Sequence, residues 1–248
     1  AKPAKAITPS SAPGDTFKDC DGCPEMVTIA AGEFKMGSTA GGATEKPVHN
    51  VTFASSFAIG RFEVTLSEWT QCHTEGGCKY LPKRKGTTSR SPALNLNWLD
   101  TQHYVAWLSK KTGKNYRLPS ESEWEYAAQS KASYRYPWGD IIGNNNANCM
   151  RCGSQWDNTK TAPVGSFEPN SLGIFDIAGN VWEWTSDWYA ADYYKTSPKE
   201  NPKGPHDGKE KVLRGGSWAS MPHTLRITNR LRSYPDNQRN YRGFRCAK

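Results

Sequence analysis

No stretch of this sequence approaches the ~20 consecutive apolar residues that a membrane-spanning helix needs, so the sequence predicts no membrane span. Hydrophobic residues make up only 36% of the 248 positions, which is below the usual share for a globular domain. Ten Trp and eleven Tyr partly offset this shortage, because each aromatic ring buries a large area. With 22 Gly and 16 Pro, the composition predicts an irregular domain whose long loops are held by aromatic side chains.

The chain also lacks a dense Lys/Arg block of the kind that binds nucleic acid, although its formal net charge is +8. The positive charges are spread thinly, and the densest tract is the arginine-rich segment 214–245. Such a surface favours acidic ligands or protein partners. We therefore expect no nucleic-acid binding, and instead a peptide-like or anionic small-molecule ligand or a protein partner.

Cysteine is absent between Cys152 and Cys246, and the other cysteines lie in close pairs. No His lies at ligand spacing beside these pairs and their loops are rich in Gly and Asn, so disulfides are favoured over zinc. Disulfides indicate an oxidising compartment, and we expect a periplasmic or secreted protein. Cys246 is expected to pair with Cys20 or Cys23, which leaves one free thiol. The expected disulfides are Cys72–Cys78, Cys149–Cys152 and Cys23–Cys246.

The sequence predicts a flexible arm followed by one α+β domain. Residues 1–19 are rich in Pro, Ala, Ser and Lys and are expected to be a flexible arm left after signal removal. Residues 20–248 show no tandem repeat and no clear linker, so we expect one domain. Capping patterns predict helices after Thr65 and Ser120, and one over 97–112. Short strands are predicted at 26–30, 32–38, 49–53, 57–59 and 116–118, near Ile174, and at 181–184, 211–214 and 244–246.

Seven motifs occur in a characteristic order along the chain. They are GEFKMGS at 32–38, FEVT at 62–65, RLPSESEWEYAA at 117–128, YPWG at 136–139, GIFDIAGNVWEW at 173–184, LRGGSW at 213–218 and GFR at 243–245. Together they resemble the formylglycine-generating enzyme, or sulfatase-modifying factor, family over about residues 23–248. The resemblance implies a variant of the C-type-lectin fold with little regular secondary structure, long loops and often bound calcium.

The resemblance also implies calcium ligands, since hard cations prefer six to eight oxygens from such segments. In the 173–184 motif, the alternative is that these polar groups only cap turns. A second calcium loop is matched more weakly, because Asp157 is displaced by one position and a cysteine pair lies inside the loop. A disulfide there can take the place of the ion. The implied ligands are Asp176, Gly179, Val181 and Glu183 in the first segment, and Asn148 and Asp157 in the second.

Copper is not expected. In the enzymes of this family, two cysteines after the RGGS motif bind Cu(I), a soft ion that prefers thiolates. The first of these positions aligns with Ser220 and the second with Thr224 or Leu225. No neighbouring cysteine can restore the pair, so we expect that this protein does not make formylglycine by the copper mechanism.

Two residues that match the oxygen and substrate pocket of the family are retained, Trp182 and Ser217. With His223, the one nearby side chain that can act as a base near neutral pH, they are the candidate catalytic residues. The segment around them suits an anionic or peptide-carbonyl ligand, although a solvated basic face is an equal alternative. The candidate substrate-binding residues are Ser220, Arg226, Asn229, Arg230 and Arg232.

Two functions compete on this basis. The first is a periplasmic maturation factor acting on a peptide-derived substrate, since relatives without the cysteine pair include one needed to oxidise a siderophore chromophore. The second is a non-catalytic C-type-lectin-like binding module or an accessory subunit of an envelope complex. An enclosed polar pocket over 217–232 favours the first, and a flat surface favours the second.

Overall fold

The computed structural model describes residues 12–82, 86–130 and 134–248, so the predicted arm lies outside the described residues as far as residue 11. Within the described part, regular structure begins before residue 20, because Thr16–Phe17 forms strand β1. This strand pairs antiparallel with β2, Met26–Ile29. The last residues of the predicted arm therefore join a sheet.

The strands of the described residues form three small sheets. The first has three strands in the order β1-β2-β5, where β5 is Phe57–Gly60. The second pairs β3, Gly32–Met36, with β4, His49–Phe53. The third has the order β8-β7-β6-β9, and only its β6–β9 pair is parallel. Its strands are β6, Trp182–Trp188; β7, Lys211–Arg214; β8, Leu231–Ser233; and β9, Arg242–Gly243.

The three predicted helices are confirmed as α1, Leu66–Thr74; α2, Trp98–Thr112; and α3, Glu121–Gln129. Each begins with a capping box. At α3 the Ser120 hydroxyl accepts from the Glu123 N–H at 3.1 Å, and the Glu123 carboxylate accepts from the Ser120 N–H at 2.8 Å. Across the described ranges, no helix has the length and apolar character that crossing a bilayer requires.

Three predicted strands differ in the structure. No strand forms near Ile174, because its N–H and carbonyl bond to Asn170 within a turn, at 3.1 and 3.0 Å. Arg117 makes a single bridge with Ala247, with N–O distances of 2.9 and 2.7 Å, instead of a strand over 116–118. The pairing stops there because Pro119 has no N–H to donate and the chain turns into the cap of α3. Residues 244–246 also form no strand, and the short strand there lies at Arg242–Gly243.

The disulfides include both predicted local pairs and one that was not predicted. Cys72 is bonded to Cys78, and Cys149 to Cys152. The predicted Cys23–Cys246 bond is wrong, because Cys23 is bonded to Cys20 and Cys246 is a buried free thiol. A tight turn at Gly22, with φ of 73°, holds the Cα atoms of Cys20 and Cys23 only 5.1 Å apart, which suits a disulfide.

Helix α3 connects the core to the tract that follows β7. Trp124 is fully buried between the sheets, and the guanidinium of Arg214 lies over its ring, 5.2 Å from the centroid. Arg214 is itself fully buried, and it pairs with Glu125 and donates to the Asn229 carbonyl at 2.5 Å. A buried charge is tolerated only when it is paired in this way. This ion pair therefore fixes where the 214–230 tract lies.

Candidate functional site

The tract after β7 turns sharply at Gly215 and Gly216, whose φ angles are 96° and 82°. Such angles favour glycine, and a Cβ at Gly216 would lie 2.6 Å from Cδ1 of Leu225. The turn carries Ser217 against the start of β6. There the Trp218 N–H donates to the Asn180 carbonyl at 2.9 Å.

Ser220 lies at the centre of a small cluster of hydroxyl and indole groups. Its Oγ accepts from the Trp182 indole Nε1 and from the Ser217 backbone N–H, each at 3.1 Å. The hydroxyl oxygens of Ser217 and Ser220 are 2.9 Å apart. Because two N–H groups occupy the acceptor positions of Ser220 Oγ, its own proton is donated to Ser217 Oγ. The structure thus brings three of the sequence-predicted residues together in one satisfied network.

His223, the expected base, lies apart from this cluster. It is on the short 3₁₀ helix Pro222–Leu225, where its side chain is exposed and its carbonyl accepts from Arg226 Nε at 3.0 Å. Among the residues that the structure describes, no histidine forms a hydrogen bond with Ser217 or Ser220. A serine nucleophile needs a base within hydrogen-bond reach, so neither hydroxyl is activated in this arrangement.

Ser220, Thr224 and Leu225, where the sequence resemblance places the copper-binding cysteines of the family, are engaged in other contacts. Ser220 is engaged as described above, and the Thr224 hydroxyl donates to the Met221 carbonyl at 2.8 Å. Leu225 is fully buried in a small apolar cluster that includes the Cys149–Cys152 bridge. An alkyl side chain or a hydroxyl does not offer the soft ligand that Cu(I) prefers.

Arg226 is held by an internal ion pair. Its two terminal nitrogens bind the two carboxylate oxygens of Glu45, at 2.7 and 2.8 Å, and Thr228 donates to the same carboxylate at 2.6 Å. These bonds with Glu45 raise the pKa of Arg226. Burial acts to raise the pKa of Glu45, but the hydrogen bonds from Arg226 and Thr228 outweigh it and the pKa falls. The Asn229 amide is likewise engaged, donating to the Thr224 carbonyl at 3.0 Å.

The other two arginines are paired as well. Arg230 is buried and binds Glu121 through two bonds of 2.7 and 2.8 Å. Burial opposes its charge, but the carboxylate of Glu121 raises the pKa of Arg230. Arg232 is half-exposed and lies 2.9 Å from the Glu210 carboxylate. The arginines expected to meet a ligand are therefore each paired with a glutamate, Arg230 in the interior and Arg232 at the surface, and their role in substrate binding stays a prediction.

Three buried carboxylates lie in or against the predicted calcium segment: Asp176 and Glu183 belong to it, and Glu63 contacts it. Glu183 makes a two-bond pair with Arg245, both bonds being 2.7 Å, and accepts from Trp124 Nε1 at 2.8 Å. Asp176 accepts one backbone N–H at 2.6 Å, and its Oδ1 is buried without a partner among the described residues. Burial and the charges of Asp176 and Glu183 raise the pKa of Glu63 well above its usual range. One guanidinium thus faces three acidic groups.

These residues fit a hard cation only in part. The unsatisfied Oδ1 of Asp176 is the kind of oxygen that calcium prefers, and burial raises the pKa of this carboxyl to about 6. Both oxygens of Glu183 are already engaged. Within the described ranges, no three His, Cys, Asp or Glu side chains converge on one metal position. The predicted carbonyl ligands, Gly179 and Val181, flank this cluster, and calcium here stays a prediction.

In the second predicted calcium loop, the polar atoms are used within the loop itself. The Asn148 amide donates to the Lys160 carbonyl at 2.9 Å and accepts from the Ser154 hydroxyl at 3.0 Å. The Asp157 carboxylate accepts two backbone N–H groups of the segment around Cys149–Cys152, at 2.7 and 2.9 Å. Both side chains therefore stabilise a loop that the disulfide already closes.

A second site, which the sequence did not indicate, is a cleft of about 920 Å³. Arg226 and Thr228 form part of its wall, whereas Ser217, Ser220 and Trp182 do not. Sequence patterns missed it because the remaining walls come from separate segments. These are β3, the loop 37–40, the start of β4, the end of α3 and the turn 134–140.

One family model matches nearly all of the described chain. Residues 13–248 match the sulfatase-modifying factor enzyme 1-like domain. The formylglycine-generating enzyme of Streptomyces coelicolor is 40% identical over 169 residues, which cover 63% of this chain and 52% of that enzyme. Serine/threonine-protein kinase pkn1 of Chlamydia pneumoniae is 36% identical over 247 residues, which cover 90% of this chain and 38% of that protein. The chain therefore spans about half or less of the length of these curated relatives.

Among solved structures, PvdO from Pseudomonas aeruginosa is similar over nearly its whole length. The two chains share 34% identity and superpose with a TM-score of 0.86, covering 96% of this chain and 99% of PvdO. The α+β, formylglycine-generating-enzyme-like variant of the C-type-lectin fold that the sequence predicts is confirmed.

Proposed function

This chain belongs to the sulfatase-modifying factor enzyme 1-like family, and we propose that it is a maturation factor for a peptide-derived substrate that works without copper. We place it in the periplasm or outside the cell. Three disulfides support an oxidising compartment, because such bonds are rare where thiols are kept reduced. The proposal concerns this domain alone, since the curated relatives are longer.

The observation that carries the proposal is the hydroxyl at Ser220, the position of a copper-binding thiolate in related enzymes. It is held by Trp182 and Ser217 through three contacts of 2.9 to 3.1 Å. A weak, neutral oxygen donor so engaged is a poor ligand for Cu(I). The same network holds a polar group at the family's reaction site, which suits hydrogen bonding to a substrate carbonyl or carboxylate.

Within this cluster we assign different roles to its members. Ser217 and Trp182 are buried, whereas Ser220 is only partly so, and Ser220 is therefore the group that would meet a substrate. Ser217 and Trp182 would orient its hydroxyl. His223, exposed three residues further on, would act as the base only if a bound substrate lay between it and the serine pair.

Calcium forms a further part of the proposal. Asp176 would supply the free carboxylate oxygen, Gly179 and Val181 would supply carbonyls, and Glu183 would have to share its oxygens with Arg245. When bound, the ion would neutralise part of the buried negative charge and hold the 173–184 segment in place. Metal analysis and a thermal shift on chelation test this, and calcium-free protein with unchanged melting would contradict it.

The alternative is a non-catalytic binding module or an accessory subunit of an envelope complex. One observation favours it: the 920 Å³ cleft is not lined by Ser217, Ser220 or Trp182, so binding there does not require the proposed reaction site. Under this alternative, a ligand would bind without any change in its covalent structure.

A two-armed experiment separates these possibilities. In the first arm, Cu(I) is titrated into the wild type and into a Ser220→Cys/Leu225→Cys double variant, with oxygen uptake measured on a cysteine-containing peptide. We expect tight copper binding only in the double variant. Tight binding and oxygen uptake by the wild type would overturn the copper-free proposal.

In the second arm, short peptides and cyclised peptide derivatives are incubated with the wild type and with Ser220→Ala, and their masses are followed. We expect a mass change that requires the Ser220 hydroxyl. Compounds that bind without a mass change, and bind Ser220→Ala equally well, would support the binding module instead.

A further inference from the structure

The 920 Å³ cleft is near the upper end of the ~300–1,000 Å³ range typical of ligand pockets, but its chemistry is unusual for a small-molecule site. Such sites are mostly apolar, whereas most side chains here are polar or charged. The polar lining residues are Lys35, Ser38, Thr39, His49, Asn50, Gln129, Arg135, Asp140, Arg226 and Thr228. A polar, extended ligand suits this lining better than a compact apolar one.

The charge available to a ligand in this cleft is positive. Lys35 on β3 and Arg135 on the turn 134–140 are both exposed, and neither forms an ion pair with another described residue. Arg226 is neutralised by Glu45. Asp140, the acidic residue among the described lining residues, accepts the Arg135 backbone N–H at 2.9 Å and keeps its negative charge, so Lys35, Arg135 and Asp140 together leave a net positive charge. The cleft therefore favours carboxylate groups, which arginine can bind through two parallel hydrogen bonds.

The cleft is also preformed. Glu45, anchored by Arg226, accepts the Gly42 N–H at 2.9 Å through its side chain and the Ser38 N–H at 3.0 Å through its carbonyl. These bonds close the loop 37–45 on itself beside the cleft. A ligand would therefore meet a wall that is already ordered, which lowers the entropic cost of binding.

Addition of a ligand strand is blocked at the end of β3 next to the cleft. Gln129 donates to the Lys35 carbonyl at 3.1 Å, and the Gly37 N–H donates to Glu125 at 2.8 Å. Side chains of α3 thus occupy the two backbone groups that an added strand would need there. Recognition must instead come from the side chains that line the cleft.

Two exposed apolar side chains belong to the segment that carries Arg135. Tyr134, which lines the cleft, is 51% exposed, and Ile141, which directly follows the lining residue Asp140, is 80% exposed. The turn is held by the Trp138 indole, which donates to the Ile141 carbonyl at 3.0 Å. Large apolar groups displayed on an ordered turn are typical of surfaces that bind proteins or peptides. They would contribute little to binding a free anion.

From these features we propose that the cleft binds an extended acidic peptide segment, with carboxylates meeting Lys35 and Arg135 and an apolar residue packing on Tyr134 and Ile141. The partner is a protein or peptide of that chemistry. This proposal does not depend on the chemistry proposed at Ser220, and a protein can bind such a peptide whether or not it modifies one.

The test uses a fluorescently labelled synthetic octapeptide of alternating glutamate and leucine residues, with binding followed by anisotropy. We expect saturable binding that weakens as salt is added, since exposed charge pairs are screened. A matched peptide with glutamine in place of glutamate, and another with serine in place of leucine, should each bind at least ~10-fold more weakly. Binding that does not reach saturation by ~1 mM would overturn the proposal.

Matched variants locate the binding on the molecule. Lys35→Glu/Arg135→Glu should weaken binding at least ~10-fold, whereas Lys110→Glu/Lys209→Glu makes the same change in net charge at exposed positions outside the cleft and should have little effect. Equal losses in the two variants would show a general charge effect and overturn the proposal. No turnover is measured, so failure here leaves the proposed function at Ser220 untouched.

Discussion

The two sides of the 217–230 tract differ in what holds them. On one side, Ser217 and Ser220 form an uncharged hydroxyl cluster with Trp182, in which each contact is a neutral hydrogen bond. On the other side, Arg226 and Arg230 are held by carboxylates from distant parts of the chain. A neutral hydrogen bond contributes modestly to the free energy of unfolding. Removing one partner of a buried ion pair costs more, because the other charge stays buried without a partner.

Two kinds of interaction are thus separated within one short segment. Neutral hydrogen bonds hold the hydroxyl cluster, which we propose as the site that meets a substrate. The charged side is rigid and shapes the wall of the large cleft. The predictions below test this contrast, in order of expected effect.

The largest effect is expected from Arg230→Met, which leaves Glu121 buried without its two-bond partner. We expect a loss of about 3–5 kcal/mol in the free energy of unfolding, measured by chemical denaturation. The control is Arg232→Met, whose pair with Glu210 is half-exposed. It should cost no more than about 1 kcal/mol. Similar losses of stability in the two variants would contradict the contrast between buried and surface ion pairs.

The next largest effect is expected from Cys149→Ser/Cys152→Ser, which removes the disulfide next to the hydroxyl cluster. The Met150 N–H donates to the Ser220 carbonyl at 2.9 Å, so this loop supports the cluster directly. We expect a stability loss of about 2 kcal/mol and a shift of the Trp182 indole N–H resonance in NMR spectra.

The matched control for this prediction is Cys72→Ser/Cys78→Ser, which removes another buried local bridge, at the end of α1. It should lower stability comparably and leave the Trp182 resonance in place. A shift of that resonance in both variants would argue against a specific link to the cluster.

A smaller effect is expected from Ser220→Ala, which removes the acceptor of the buried Trp182 N–H. An unpaired buried donor should cost about 1 kcal/mol in the free energy of unfolding, and the indole resonance should move. Ser166→Ala, which removes an exposed hydroxyl, is the control and should change neither. An unchanged resonance in Ser220→Ala would show that the cluster is not formed in solution.

The smallest expected signal is the pH dependence of the Arg226–Glu45 pair, which is read as a change in a Tm difference between pH 7 and acidic pH. The pKa of Glu45 is lowered below its ordinary value of 4.5, so its contribution is complete above that pH and is lost as pH falls through the lowered pKa. We therefore expect Glu45→Gln to melt at a lower temperature than the wild type at pH 7. The difference in Tm should shrink below pH 4.5. A difference that grows on acidification would contradict the ion pair with Arg226.

Local signals in the sequence predicted the helices well. The helix starts depend on capping boxes, at Thr65 and Ser120, whose residues lie within one turn of each other. The helix predicted over 97–112 ends at Gly113, whose φ is 67°. The bridge at Arg117 was predicted less well, because its partner Ala247 lies at the far end of the chain.

The same difference between local and distant contacts explains why only part of the candidate site was predicted. Ser217 and Ser220 are three residues apart, so their contact is local in the sequence. The pairing of Arg226 with Glu45 spans 181 positions, and no local pattern shows that this arginine is already engaged. The cleft is the extreme case, because five or more separate segments form it.

The sequence by itself determined the family, the helices, two of the three disulfides and the absence of a thiolate pair after the RGGS motif, because each of these depends on residue type and short spacing. Tertiary structure decided which charges are free. Arg226, Arg230 and Arg232 form a basic tract in the sequence, yet the fold pairs each of them with a glutamate. The physical reason is that burying a charge is costly unless a partner comes with it, and only the folded chain supplies the partner.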